Sequence, residues 1–120
     1  MACNDCYFSR DHFWVLEAEE VLRAGISEHA QNSLGDIVFV DLPKPGMSVR
    51  AGQVIGTVES VKSTSDLISP VTGKILNINE AVLDTPELIN SSPYGEGWLV
   101  EFVGEMDPEL MSEDDYLSTL

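Results

Sequence analysis

Residues 54–68 leave the chain few ways to fold. Val54, Gly56 and Val58 alternate with Ile55, Thr57 and Glu59, the period-two pattern of a strand with two distinct faces. Leu67 and Ile68 read as a returning strand that ends at Pro70, which cannot donate to a sheet ladder. Strands this close are joined by a tight turn, and it centres on Val61-Lys62. Two-residue hairpin loops favour Asn-Gly or Gly-X because their central residues take φ > 0. A β-branched Val beside a Lys offers neither. Local rules break most often where function overrides them, which makes Lys62, at an exposed tip, the first candidate functional residue. An ε-amine on a flexible stem can be acylated and lose its charge. Lys44 and Lys74 lack this context and read as solvated surface lysines.

Short strands and turn signals recur through the rest of the chain. Phe13 to Leu16 and Val21 to Gly25 form a hairpin around a polar turn at residues 17–20. Ser27 is positioned to cap a short helix, Glu28 suits its first turn, and Gly35 suits its end. Ile37-Val38-Phe39-Val40 reads as an apolar strand, and Pro43-Lys44-Pro45-Gly46 as a turn. Residues 71–79 alternate as another strand. Helical turns are expected at 80–83 and from Pro86, which suits a first helical position. Trp98 to Phe102 reads as the last strand. The C-terminal segment, residues 107–120, reads as helical: one short helix starts at Asp107, and Ser112 caps a second whose buried stripe is Tyr116, Leu117 and Leu120. This pattern predicts a mainly β protein, an antiparallel sandwich or flattened barrel with a few short peripheral helices. At 120 residues one domain is expected, preceded by a mobile tail over residues 1–7.

The net charge of −15 argues against nucleic acid, whose phosphates would repel the chain, and against anionic membrane surfaces. It favours partners with basic docking surfaces. No apolar run is long enough to span a bilayer, and the N-terminus lacks the basic and apolar regions of a signal peptide. The expected location is the cytoplasm, or the mitochondrial matrix if a transit peptide has been removed. Cys3 and Cys6 form a single C-x-x-C, half of a zinc site, with no second pair to complete it. They read as free thiols, and no metal site is predicted. His12 and His29 read as structural, and His12 cannot pair with Asp11 if both lie in an extended segment. No phosphate-binding loop, zinc-protease motif or nucleophile elbow is present, so a free-standing enzyme has little support in the sequence.

Glu59-Ser60-Val61-Lys62, followed by Ser65-Asp66, resembles the lipoyl-attachment motif of the glycine cleavage system H protein family. Three further stretches are similar to the family in the same order. They are Gly25-Ile26-Ser27-Glu28-His29-Ala30-Gln31, Leu34-Gly35-Asp36-Ile37-Val38-Phe39-Val40-Asp41-Leu42-Pro43, and Glu87-Leu88-Ile89-Asn90-Ser91-Ser92-Pro93-Tyr94 with Gly97-Trp98. The resemblance covers roughly residues 8–102. It implies a lipoyl/biotinyl-type fold and a monomeric carrier, not an enzyme, with lipoate attached to Lys62 by a lipoate ligase or lipoyl transferase. Such a carrier takes an aminomethyl group from the P protein, a pyridoxal-phosphate-dependent glycine decarboxylase. It passes the one-carbon unit to tetrahydrofolate on the T protein and electrons to the L protein, a flavin dihydrolipoamide dehydrogenase. Asp66 matches a family carboxylate that contacts the aminomethyl group.

One position departs from the family. The residue before Trp14 is usually Glu, a second acid lining the cleft for the loaded arm, and here it is Phe13. Asp11, two positions earlier, could compensate if its strand shares that face. Phe13 and the cysteine pair also fit an H-protein-like lipoate carrier of a sulfur-oxidation pathway with a heterodisulfide-reductase-like complex. A biotinyl domain fits less well, because Val61 and Ser63 stand where such domains place Met.

Overall fold

The computed structural model describes residues 5–120. In chain order its elements are β1 (Tyr7–Phe8), β2 (Phe13–Ala18), β3 (Val21–Ile26), α1 (Glu28–Leu34), β4 (Ile37–Asp41), β5 (Ser48–Val49), β6 (Val54–Ser60), β7 (Thr64–Ile68), β8 (Val71–Ile78), α2 (Glu80–Asp84), α3 (Leu88–Ser91), β9 (Val100–Met106) and α4 (Glu113–Ser118). Two antiparallel sheets face each other. The larger runs β1-β2-β3-β9-β8-β5, and the smaller runs β4-β6-β7. The main core lies between them, with Val15, Ala24, Ile75, Val100 and Phe102 from one sheet and Ile37, Val40, Val58 and Leu67 from the other. This is the expected mainly β sandwich with short peripheral helices.

Strand β2 is buried on both faces. Phe13 and Val15 enter the main core, while Trp14 points the other way into a second cluster with Phe8, Tyr116 and Cys6. Cys6 is buried and disulfide-bonded, not a free thiol. Cys3 lies outside the described residues. Tyr7 pairs with Val15, so the ordered fold already includes part of the expected tail.

The helices form where capping chemistry places them. Ser27 Oγ accepts from Ala30 N at 3.2 Å, and Gly35 ends α1 at φ 83°, a conformation that side-chain-bearing residues avoid. Asn79 Oδ1 accepts from Ala81 N at the start of α2. Helix α3 starts at Leu88, after Pro86 rather than on it. The last strand begins at Val100 and extends to Met106.

Three sequence expectations need correction. The face assignment in β6 is broken by a register shift between Val54 and Gly56. One extra residue there turns Ile55 into the core and leaves Val54 exposed, because a bulge resets the period-two alternation. Residues 107–110 form a turn, not a helix, so the C-terminal helical segment is α4 alone. On α4 only Tyr116 is buried, whereas Leu117 and Leu120 are exposed. Leu120 lies beyond the helix end, and Leu117, one residue after Tyr116, points about 100° away from the buried stripe.

Candidate functional site

The β6–β7 hairpin ends at Lys62 without the usual turn residues. Among the described residues, positive φ outside glycine occurs at His12 and Glu19, not at Val61 or Lys62. The turn is instead tied by Ser60. Its amide donates to Ser63 O at 2.8 Å, and its buried hydroxyl accepts from Lys62 N at 3.2 Å and Ser63 N at 3.1 Å and donates to Ser63 O at 3.1 Å. One hydroxyl thus does locally what φ > 0 does in a type I′ turn. Val61 N donates to Asp36 O at 3.1 Å, fastening the tip to the entry of β4. Ser60→Ala is expected to cost about 1 kcal/mol and to increase amide exchange at Lys62 and Ser63 selectively, read by hydrogen-exchange NMR. Uniform exchange across β6 and β7 would contradict the assignment.

The lysine stem rests on Gly35. A Cβ at that position would lie 3.2 Å from Lys62 Cε and 3.7 Å from Nζ, so the missing side chain leaves the space the stem occupies. Asn90 holds this corner from below. Its Nδ2 donates to Gly35 O and to Gln31 Oε1, both at 2.9 Å, and its Oδ1 accepts from Ile37 N at 2.9 Å. These partners lie 53 to 59 residues away in sequence, and no local signal exposes the clamp.

One residue from Gly35 a cleft of about 170 Å³ begins, and Lys62 is not among the residues that line it. Leu34, the neighbour of Gly35, forms part of its wall, with Phe13, Ile26, Val58 and Leu67 as apolar lining. Asp11 and Asp66 both line it, as do His12 and His29. Asp66 lies on β7 opposite Thr57. Asp11 arrives by a route different from that expected. Residues 9–12 form a turn rather than a strand, with His12 N donating to Ser9 O at 3.1 Å and His12 at φ 67°. Phe13 is buried in the same wall. Among the described residues no three ligating side chains converge as a metal site.

His12 is structural in one respect: its Nδ1 is 2.7 Å from Tyr116 Oη, which lies 2.7 Å from Ser27 Oγ. The His29 ring is 5.0 Å away, centroid to centroid. Burial lowers the His12 pKa below its ordinary 6.5, and His29 adds to this while Asp11 opposes it. The folded state therefore prefers neutral His12, and that stability is complete above about pH 6.5 and is lost as pH falls through the lowered value. His12→Gln retains a polar partner for Tyr116 but cannot titrate. The melting-temperature difference between wild type and this variant is expected to shrink from pH 7.5 to 5, and a constant difference would exclude His12 as its source.

The family model described as glycine cleavage H-protein matches residues 6–120. The chain belongs to the glycine cleavage H-protein family. A protein of Listeria monocytogenes named glycine cleavage system H protein is 48% identical over 120 residues, covering 98% of this chain and 96% of the relative. A protein of the same name from Rubrobacter xylanophilus is 44% identical over 117 residues, covering 98% and 93% respectively. The crystal structure of a glycine cleavage system H protein from Mycobacterium marinum superposes with a TM-score of 0.94 at 38% identity, covering 98% of both chains. The match to that structure agrees with the antiparallel sandwich of this chain.

Proposed function

We propose that this chain is the lipoyl-carrying shuttle of the glycine cleavage system, with lipoate amide-linked to Lys62. It acts as a carrier, with the P, T and L proteins as partners and a lipoate ligase or lipoyl transferase as the modifying enzyme. The observation that carries this reading is the juxtaposition of an exposed, pinned lysine with an apolar cleft edged by two carboxylates. The residues present suit the group. Gly35 leaves room along the stem, and a cleft of about 170 Å³ compares with the roughly 150 Å³ cavity known to admit benzene, enough for a five-membered ring. When bound, lipoate supplies a dithiol–disulfide pair that carries electrons and a one-carbon amine.

The remaining work falls to this chain. Ser60 and the Asp36 carbonyl fix the base of the arm, which raises its effective concentration at every partner it reaches. Phe13, Ile26 and Leu67 exclude water from the cleft. Asp11 and Asp66 offer acceptors to an ammonium group through charge-assisted hydrogen bonds. Asp66→Asn is expected to speed the appearance of formaldehyde and ammonia from the loaded protein about tenfold, and Asp11→Ala a few-fold. An unchanged rate in Asp11→Ala would refute its part. The reading locates the chain in the compartment of its partner enzymes, the cytoplasm or the mitochondrial matrix. Among the described residues no helix is long and apolar enough to cross a membrane.

The deciding experiment is glycine–bicarbonate carbon exchange with a P protein, before and after enzymatic lipoylation of this chain. Exchange is expected only with the lipoylated form. Absence of exchange despite lipoylation confirmed by mass spectrometry would overturn the reading. It would favour the sulfur-pathway carrier, a reading supported by the buried phenyl ring of Phe13 in the cleft wall. Phe13→Glu would then be the variant to assay.

A further inference from the structure

Strand β4 does not behave as its sequence implies. Four successive apolar residues, Ile37 to Val40, suit a strand buried on both faces. In the structure Ile37 pairs with Ser60 and Phe39 with Glu59, so Val38 is an extra residue in the ladder. A bulge sets two residues against one, and here both of them, Val38 and Phe39, face outward at 50% and 56% exposure. The adjacent hairpin tip contributes Val61 at 67% exposure, tied to Asp36 O through its amide. Single exposed apolar side chains are ordinary, but a contiguous group beside a reactive residue marks an interaction surface. Asp36, Asp41 and Glu59 surround it, all exposed, within a chain of net charge −15.

We propose that this outer face of the β4-β6-β7 sheet docks the enzyme that acylates Lys62, and that the enzyme meets it with an apolar pocket rimmed by lysine and arginine. The inference rests on Lys62 being the lipoyl site. Acylation requires the bare amine to enter the enzyme's active site. There Nζ bonds to the carbonyl carbon of an activated lipoyl donor, the bond from that carbon to the activating group breaks, and the nitrogen releases a proton. A lysine reaches no farther than its own stem, so the enzyme must close over Val61 and the bulge. Enzymes that act on the finished arm react at its far end, a full arm's length from Nζ. Carboxylates around an apolar centre call for a basic rim and steer the encounter.

The test is the rate of Lys62 lipoylation by a lipoate ligase, with ATP and lipoate, on the full apo-protein. Phe39→Ser and Val61→Ser are each expected to lower kcat/KM about tenfold, mostly through KM, as truncated central contacts do. Phe39→Tyr, which keeps the ring, should retain most of the rate. Leu117→Ser on α4, equally exposed at 55%, should match wild type. Asp36→Asn and Asp41→Asn should lose rate at low salt and little at high salt. Circular dichroism melts separate any folding defect from a docking defect. Phe39→Ser and Val61→Ser within twofold of wild type, or Leu117→Ser falling equally, would overturn the surface alone. An equal defect in reoxidation of pre-lipoylated Phe39→Ser by the L protein would overturn the assignment to the acylating enzyme. Failure of wild type to be lipoylated at Lys62 would overturn the proposed function, and this surface with it.

Discussion

Lys62→Arg is expected to abolish glycine–bicarbonate exchange while leaving the melting temperature within a few degrees of wild type. Arginine keeps the positive charge and a long stem, so the hairpin and the Gly35 contact lose little. Its guanidinium is delocalised, stays protonated at any working pH, and does not act as an acyl acceptor. Lys44 and Lys74 remain available, yet neither sits on a tip tied by a buried hydroxyl and a neighbouring strand. Intact-mass spectrometry after ligase treatment should show no lipoyl addition in Lys62→Arg and one in wild type. Addition at Lys44 or Lys74 with full exchange would show that the tip geometry does not select the site.

Much of this geometry is legible in the sequence because its causes are local. Ser27 and Gly35 bracket α1 by capping and by positive φ, and both act within a turn of their own position. The Val61-Lys62 turn stands out because its chemistry is wrong, even though the remedy, the Ser60 hydroxyl, becomes visible only in three dimensions. Bulges escape notice. Nothing in Ile37-Val38-Phe39-Val40 or Val54-Ile55-Gly56 marks which residue is the extra one, since the partner strand's register decides it. Long-range clamps are hidden too. Asn90 reads as part of a family-like stretch, but its three partners come from α1, Gly35 and β4. Asp11 reaches the cleft through a turn that the alternating pattern around it does not announce.

Trp14→Ala should cause the largest loss of stability, about 3–5 kcal/mol. The indole is fully buried, donates from Nε1 to Pro93 O at 2.9 Å, and meets the Tyr94 ring edge-on at 5.9 Å. It also lies flat against Gly25, where a Cβ would come within 2.9 Å of Nε1. Removing it empties the centre of the second cluster and leaves a carbonyl without its donor. It also loosens Tyr94, whose hydroxyl accepts from Glu28 N at the head of α1. With a domain stability of roughly 5–15 kcal/mol, the melting temperature is expected to fall by roughly 10–25 °C in scanning calorimetry. A fall of less than about 5 °C would mean that the cluster repacks around the gap. Trp14→Phe keeps most of the area and should lose less than half as much.

The order of strands has a consequence for how the chain comes off the ribosome. The lysine sheet β4-β6-β7 is drawn from residues 37–68 alone, whereas the larger sheet needs β9, residues 100–106, inserted between β3 and β8. During synthesis the small sheet can pair early, but β3 and β8 keep open edges until β9 has emerged. Closing them joins distant segments, the slow kind of step in a topology of this type. Asn90, which steadies the corner under Lys62, also arrives late. Under the proposed function, attachment of the arm is therefore expected to follow completion of the fold, so that a loaded carrier would be one that has already finished folding.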